Sequence, residues 1–272
     1  MTNWSDRLRT ALCSQASAYA KEAGVASYES RGRQPVTLFP GGGDNTAHGN
    51  FQDESYAAIV GNSVWRARLG KSHPQRKDSL PAPYDTTAKE LDSCTSSDAL
   101  LMNIFCYPGV VAGEIARLLG VPAGTSPLFG VAGHVPLTNG KADTTEVDMQ
   151  VGITNVEAKL TESSFTRGTA NNLDRYARLA EVFDVQLLPR DGDDFLSYQL
   201  IRNVLAIAPR SDARFVVLLD ARRPDLMHEW WTIHGAVHTG QLRARCNFVT
   251  WQELAAAAPA KLRSFLSLKY GL

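Results

Sequence analysis

The chain lacks a net charge, because its 28 lysine and arginine residues balance its 28 aspartate and glutamate residues. A balanced chain exerts no global attraction on nucleic acid, so a site for a polyanion would have to come from a local basic patch. No uninterrupted apolar run approaches the ~20 residues of a membrane span. The N-terminus also lacks the charged start and apolar core of a signal peptide. We therefore expect a cytoplasmic protein without a membrane partner.

Several metal-binding and hydrolase motifs are absent as well. The four cysteines form no Cys-x-x-Cys pair, which argues against a zinc knuckle and against a disulfide framework. We expect them to be small buried hydrophobic residues; they are Cys13, Cys94, Cys106 and Cys246. The glycine-rich loop at residues 40–45 lacks the Gly-Lys-Ser/Thr ending of a phosphate-binding P-loop. Neither a Gly-x-Ser-x-Gly elbow nor a His-Glu-x-x-His motif occurs.

Residues 145–162 have an alternating pattern of apolar and polar side chains. Two runs alternate apolar and polar side chains, which is the pattern of two half-buried strands. Gly152 lies between the runs and supplies the backbone freedom that a tight type II′ turn needs. A turn at this glycine places Met149 opposite Val156, so the apolar sides of the two strands agree. The sequence therefore predicts an antiparallel hairpin.

The polar side of this hairpin would bring charged groups together. The same register places Asp148 opposite Glu157 and Glu146 opposite Lys159, and opposed Cβ atoms lie ~4.5–5.5 Å apart. Opposed like charges are unfavourable unless something neutralises them, and a divalent cation with oxygen ligands would do so. The alternative is the solvated polar face of an amphipathic hairpin, with Lys159 as its counter-charge. Spacing alone leaves both interpretations open.

The remaining patterns predict helices and strands in alternation, with 272 residues available for one large or two small domains. Predicted helices cover residues 4–23 with Ser5 as cap, 53–69 with a break near 61–62, 97–105 capped by Ser96, 110–119, 169–180, 195–208, a segment from 224, and a final segment divided by Pro259. Predicted strands outside the hairpin cover residues 128–137, 214–220 and 246–249.

One stretch of the chain is locally basic. It is the best candidate patch for binding a polyanion. The alternative interpretation of these residues is a solvated helix end and loop. Its basic residues are Arg66, Arg68, Lys71, His73, Arg76 and Lys77.

The hairpin carries a resemblance to a known superfamily. Asp148, followed after eight residues by Glu157-Ala158-Lys159, resembles the active-site signature of the PD-(D/E)xK nucleases, although Val147 stands where that signature has proline. The predicted order from residue 97 onward also resembles the α-β-β-β-α-β core of these nucleases. The resemblance implies an α/β, restriction-endonuclease-like fold with a mixed central sheet flanked by helices. It implies a nuclease core at residues 91–272 and an N-terminal helical and loop extension at residues 1–90, packed on that core.

Shorter strings between residues 50 and 250 resemble a bacterial restriction-endonuclease family. Residues 96–100 and the Asn103-x-Phe105 string resemble its Ser-Ser-Gln-Ala-Leu helix, with Asp98 in place of the glutamine. Residues 198–203 match its Tyr-Gln-Leu-x-Arg-Asn motif.

The resemblance implies a metal-dependent endonuclease that hydrolyses phosphodiester bonds. Asp148 and Glu157 would hold one or two Mg²⁺ or Mn²⁺ ions, and Lys159 would position or activate the attacking water. A third acidic ligand, Glu90 or Asp98, stays open. The residues expected to contact substrate are Gln199, a further catalytic candidate that would hold water or phosphate, and Arg66, Arg68, Lys71 and Arg202, which would grip the backbone.

The expected partner is nucleic acid, with double-stranded DNA first and RNA left open. A double-strand cut with one site per chain would favour a homodimer, and a role in defence would suit the family. The alternative is a nucleic-acid-binding or protein-interaction module that keeps the fold but does not cut.

Overall fold

The computed structural model describes residues 3–30, 34–41, 47–72 and 88–272. The chain divides into two compact units, one formed by Met1–Ile115 with Trp251–Leu272 and the other by Ala116–Thr250. The boundaries of these units differ from those of the predicted division into residues 1–90 and 91–272. That division stays a prediction. Within the described residues, no helix is long and apolar enough to cross a membrane.

The first unit is mainly helical. Its elements are α1 (Trp4–Ala23), β1 (Tyr28–Glu29), β2 (Thr37–Leu38), α2 (Asp53–Gly61), α3 (Ser63–Arg68), a 3-10 turn at Glu90–Asp92, α4 (Ser97–Phe105), α5 (Gly113–Leu119, which crosses the boundary), α11 (Trp251–Ala257) and α12 (Ala260–Tyr270). The helix α1 packs against α12, so the two ends of the chain meet in one unit.

The N-terminal helix begins two residues earlier than its predicted cap required. Asn3 is the N-cap, because its side-chain oxygen accepts a hydrogen bond from the backbone N of Asp6 at 3.2 Å. The predicted cap, Ser5, is buried inside the helix. Gly24 ends the helix with a φ of 66°, a backbone conformation that glycine adopts without strain. The predicted break near residues 61–62 is confirmed, since α2 ends at Gly61 and α3 begins at Ser63.

The second unit is built on a mixed five-stranded sheet. Its elements are β3 (Pro127–Ala132), β4 (Val135–Pro136), β5 (Ala142–Asp143), β6 (Glu146–Val151), β7 (Thr154–Ala158), β8 (Arg167–Thr169), α6 (Ala170–Leu173), α7 (Leu179–Val182), β9 (Arg190–Asp191), β10 (Asp194–Leu196), α8 (Tyr198–Ile207), β11 (Arg214–Leu219), α9 (Pro224–Ala236), α10 (Gly240–Arg243) and β12 (Cys246–Thr250). The order in the sheet is β12-β11-β7-β6-β3. The pairs β3–β6 and β6–β7 are antiparallel, whereas β7–β11 and β11–β12 are parallel.

The strand β11, an interior strand of the sheet, confirms the prediction of a strand buried on both faces. Residues 215–219 of this strand are all buried, and the strand lies between β7 and β12. A parallel strand covered on both sides reads as a continuous apolar run. The helix α8 packs against both β7 and β11. The observed α/β class with a mixed central sheet agrees with the predicted fold class.

Three predicted elements of this unit were wrong in their extent. Phe195 and Leu196 belong to β10 and pair with Gly168 and Arg167 of β8, so strand pairing overrides their helical spacing. The predicted strand 128–137 ends at Ala132. The predicted helix 169–180 is replaced by the short helices α6 and α7.

Candidate active site

The central hairpin has the predicted register. Met149 pairs with Val156, and Val151 pairs with Thr154. Gly152 has a φ of 58°, and Ile153 is not among the described residues with positive φ. A positive φ at the first central residue alone is the type II′ pattern, since a type I′ turn needs it at both. The register prediction is therefore confirmed at these pairs, whereas the predicted oppositions of Asp148 with Glu157 and of Glu146 with Lys159 are not among the described strand pairs.

Asp148 lies on the polar side of β6. It precedes Met149, which pairs with Val156. The Oδ2 atom of Asp148 accepts a hydrogen bond from the backbone N of Ala158 at 2.8 Å. The carboxylate thus bonds to the neighbouring strand next to Glu157. A side chain fixed in this way needs little reorganisation to act as a ligand.

Glu157 is held between two donors. Lys159 Nζ donates to its Oε1 at 2.8 Å, and Asn203 Nδ2 donates to its Oε2 at 2.7 Å. The side chain of Glu157 is 1% exposed, and that of Lys159 is 8% exposed. A buried carboxylate is costly unless it is paired and hydrogen-bonded, and this one is both. The residues predicted as Glu-x-Lys therefore form a direct ion pair.

The charge around Lys159 is predominantly negative. Burial lowers the pKa of Lys159, but the carboxylates of Glu157, Asp148 and Glu162 outweigh burial and raise the pKa above its ordinary value. Three carboxylates around one ammonium group leave a formal excess of two negative charges. A lysine with a raised pKa retains its proton at neutral pH, and Lys159 donates a hydrogen bond to Glu157 in this structure.

Asn203 and Glu162 are site residues that the sequence reasoning missed. Asn203 is 1% exposed and holds Glu157. The available signal for it was its place as the last residue of the Tyr-Gln-Leu-x-Arg-Asn string. Glu162 acts electrostatically on Lys159, and its Oε2 accepts a hydrogen bond from the backbone N of Leu160 at 2.6 Å. Its only signal was its position three residues after Lys159.

The predicted residues of α8 lie on the helix beside the sheet. Gln199 precedes Asn203 by four residues, so the two share a helix face. The Oε1 atom of Gln199 is buried without a hydrogen-bond partner among the described residues. Arg202 is 4% exposed, and its Nη2 donates to the backbone O of Glu146 at 3.2 Å and to Asn203 Oδ1 at 3.5 Å. In this structure Arg202 therefore supports Asn203, and its predicted contact with phosphate stays a prediction.

The other predicted substrate contacts belong to the first unit. Arg68 Nη2 lies 2.7 Å from Asp98 Oδ2, and Lys71 Nζ lies 2.7 Å from the same oxygen and 3.0 Å from Glu90 Oε2. Arg66 is exposed on α3. The ion pairs neutralise Arg68 and Lys71, as well as the two acidic residues considered as a third metal ligand.

The basic stretch extends beyond the described residues. His73, Arg76 and Lys77 lie outside the described residues. The polyanion patch therefore stays a prediction.

The donor set of the hairpin fits a magnesium ion. In the part of the chain that the structure describes, no group of three or more histidine, cysteine, aspartate or glutamate residues is arranged as a metal cage. Magnesium is commonly bound by one or two carboxylates, with waters and substrate phosphates as its other ligands. Asp148 and Glu157 can supply two such carboxylates, because each oxygen that accepts one hydrogen bond retains a second lone pair. The negative excess around Lys159 also favours a cation.

Comparison with known protein families finds a match. The family described as "Restriction Endonuclease associating with ARP" matches residues 14–271. No curated protein and no solved structure matches the chain.

Proposed function

The chain belongs to the family "Restriction Endonuclease associating with ARP", and from this premise we propose that it is a metal-dependent DNA endonuclease of the PD-(D/E)xK type. The family indicates a nuclease-like role with a nucleic-acid substrate. We assign the chemistry to Asp148, Glu157 and Lys159. The observation that carries this proposal is the buried Glu157 carboxylate, which lies in an ion pair with Lys159 next to Asp148.

In this proposal Asp148 and Glu157 would hold one or two Mg²⁺ or Mn²⁺ ions. The chemistry that such an ion supplies when bound is polarisation of the scissile phosphate and activation of a water molecule. Asn203 keeps the Glu157 carboxylate in one orientation, so the ligand is preorganised. Magnesium is usually bound by one or two protein carboxylates, so in this proposal no further protein ligand is required.

Lys159 contributes a fixed positive charge. The surrounding carboxylates outweigh burial and raise its pKa. It can orient the attacking water and offset the negative charge that grows on the phosphate in the transition state. The reaction adds water across the P–O ester bond and leaves one phosphate monoester and one hydroxyl. We assign Lys159 to positioning or activating the attacking water and to charge stabilisation.

Gln199 is the proposed contact to water or phosphate from α8. Its buried Oε1 has no hydrogen-bond partner among the described residues, which is costly unless a bound molecule satisfies it. A water molecule can donate to this oxygen. Double-stranded DNA is the substrate that we propose, and cutting both strands with one site per chain favours a homodimer.

Cleavage of supercoiled plasmid tests the proposal. We expect nicking or linearisation with Mg²⁺ or Mn²⁺, no cleavage with EDTA, and loss of cleavage in Lys159→Ala. The matched control is Lys141→Ala, because Lys141 is exposed in the same unit. Circular dichroism of both variants shows whether the fold is retained.

A thermal-shift titration separates the proposed function from its alternative. We expect Mg²⁺ or Mn²⁺ to raise the melting temperature of the wild-type protein and not that of Asp148→Ala. Metal binding without cleavage of any DNA substrate would support a non-cleaving module on this fold. The absence of both cleavage and metal binding would overturn the nuclease proposal.

A further inference from the structure

Two cysteines meet in the first unit, far from each other in the sequence. Cys13 lies on α1, and Cys94 follows the 3-10 turn at Glu90–Asp92. Their Sγ atoms are 3.7 Å apart, and both thiols are free. The backbone N of Cys94 donates to the O of Thr37 at 3.0 Å, and the Thr37 hydroxyl donates to the O of Cys13 at 3.2 Å. The β2 residue Thr37 therefore holds both cysteine backbones in place.

One of these sulfurs is accessible and the other is not. Cys13 lines a cavity of about 490 Å³ in the first unit. Six of its nine described lining residues carry a hydroxyl group, including Thr10, Ser14, Ser17 and Ser27. Cys94 is 1% exposed and packs with Phe39 behind Cys13. A small polar molecule in the cavity can therefore contact Cys13, whereas Cys94 is buried.

The electrostatic environment distinguishes the two thiols. The hydrogen bond from the Cys94 thiol lowers the pKa of Cys13 to about 7; burial and Glu29 oppose this shift, and the backbone of Thr37 and the charge of Arg9 assist it. The same hydrogen bond, together with burial, raises the pKa of Cys94. A substantial fraction of Cys13 is therefore thiolate at neutral pH, and the thiolate is the reactive form.

The two remaining cysteines provide an internal comparison. Cys106 and Cys246 are buried, and burial raises the pKa of each thiol. Each therefore has little thiolate at neutral pH and should react slowly with an oxidant.

We propose that Cys13 and Cys94 form a reversible disulfide site, at which Cys13 reacts first with hydrogen peroxide that enters the cavity. In the first step the Cys13 sulfur attacks the peroxide, an S–O bond forms, the O–O bond breaks and one water is released. In the second step the Cys94 sulfur attacks the Cys13 sulfenic acid. The S–S bond then forms, the S–O bond breaks, and the hydroxyl leaves as water with the proton of Cys94.

The required movement is small. The two sulfurs must approach from 3.7 Å to the ~2.05 Å of a disulfide, which side-chain rotation on α1 can supply. Two electrons pass from the two thiols to the peroxide, so no other oxidant is needed. An added dithiol reverses the reaction by thiol–disulfide exchange. This site is independent of the proposed nuclease function.

Peroxide treatment of the folded, full-length protein tests the proposal. We expect the number of free thiols, titrated after denaturation, to fall from four to about two. The intact mass should fall by two hydrogens, and peptide mapping should find Cys13 linked to Cys94. Dithiothreitol should restore all the thiols. Loss of Cys106 or Cys246 at the same rate as Cys13, or the absence of the cross-link, would overturn the proposal.

Variants identify which thiol reacts first. In Cys94→Ser, and in Cys94→Ala if the serine impairs folding, Cys13 should form a sulfenic acid that dimedone traps. In Cys13→Ser, Cys94 should retain its thiol, and Cys246→Ser should form the cross-link as the wild type does. The pH dependence of Cys13 alkylation should have a midpoint near 7. Dimedone labelling of Cys94 in Cys13→Ser would contradict the assigned order.

Discussion

At the scale of single residues, the candidate site depends on how one buried carboxylate is held. Glu157 takes one hydrogen bond from Lys159 and one from Asn203, and Asn203 in turn accepts from Arg202. The chain of donors fixes the amide orientation, because an Asn oxygen that accepts from Arg202 leaves its NH₂ group for Glu157. The position of the Glu157 side chain is therefore fixed by a residue of α8 as well as by its own strand.

Replacing Asn203 tests this positioning role. We expect Asn203→Ala to lower metal-dependent cleavage by about 10- to 100-fold, because groups that orient a metal ligand commonly contribute that much. Plasmid cleavage over a range of Mg²⁺ concentrations measures the change. If the role is positioning, more Mg²⁺ should recover part of the activity. Asn171→Ala, at an exposed residue of α6, is the control and should cleave normally. Equal activity of both variants would contradict the role.

At the scale of elements, the hairpin could be predicted and the region before α8 could not. The hairpin has period-two alternation on both sides of Gly152, and these local signals determine the register. Phe195, in contrast, has helical spacing with the residues after it, but it pairs with Gly168 of β8. That pairing joins residues distant in sequence, so no local pattern reports it. Ser197 lies between the strand and the helix and has a φ of 57°. A serine in the sequence does not predict a positive φ.

The turn of the hairpin can be tested by a pair of glycine substitutions. Gly152→Ala should lower the free energy of unfolding by about 1–2 kcal/mol, because an L-residue is strained at a φ of 58°. Gly235→Ala should instead raise it by about 0.5–1 kcal/mol, because this glycine lies in α9 with open space around its Cβ position. Urea denaturation measures both. A loss of stability in both variants would contradict the backbone argument.

A buried ion cluster stabilises the first unit. Asp98 on α4 pairs with Arg68 and Lys71, and Lys71 also pairs with Glu90. Burial raises the pKa of the Asp98 carboxyl, but the two cations outweigh burial and hold the pKa below its ordinary value. A carboxyl with a depressed folded-state pKa contributes stability above its unfolded pKa of about 3.9, and loses it as the pH falls through the folded value.

Asp98→Asn should therefore cost about 3 kcal/mol of unfolding free energy at pH 7. This is the lower end for a broken buried pair, because the Lys71 side chain is 39% exposed. The difference between wild type and variant should shrink below about pH 4. Urea denaturation across pH gives both quantities. Asp212→Asn, which removes an exposed pair with Arg210, is the control and should change little. A difference that persists unchanged at pH 3 would contradict the assignment.

At the scale of the whole molecule, the first unit combines both ends of the chain. The helix α12 packs against α1, and Gln15 Nε2 donates to the O of Leu268 at 2.6 Å. Both helices were predicted from their own sequence, but their contact with each other was not predicted. The local sequence of a helix does not indicate which other helix it packs against. The same limit applies to the candidate site, where the hairpin spacing and the resemblance to a nuclease signature singled out Asp148, Glu157 and Lys159. Asn203, which donates a hydrogen bond to Glu157 from a later helix, was not predicted.

A pair of leucines on α12 tests whether the C-terminal helix stabilises the N-terminal one. Leu266 is fully buried, whereas Leu268 is 47% exposed. Leu266→Ala should cost about 2–5 kcal/mol through the cavity that it leaves, and Leu268→Ala should change stability little. Because α1 and α12 share one unit, the loss should appear as faster amide hydrogen exchange in α1 as well as in α12. Faster exchange confined to α12 would show that the C-terminal helix opens alone, and α1 would then derive its stability from other contacts of the first unit.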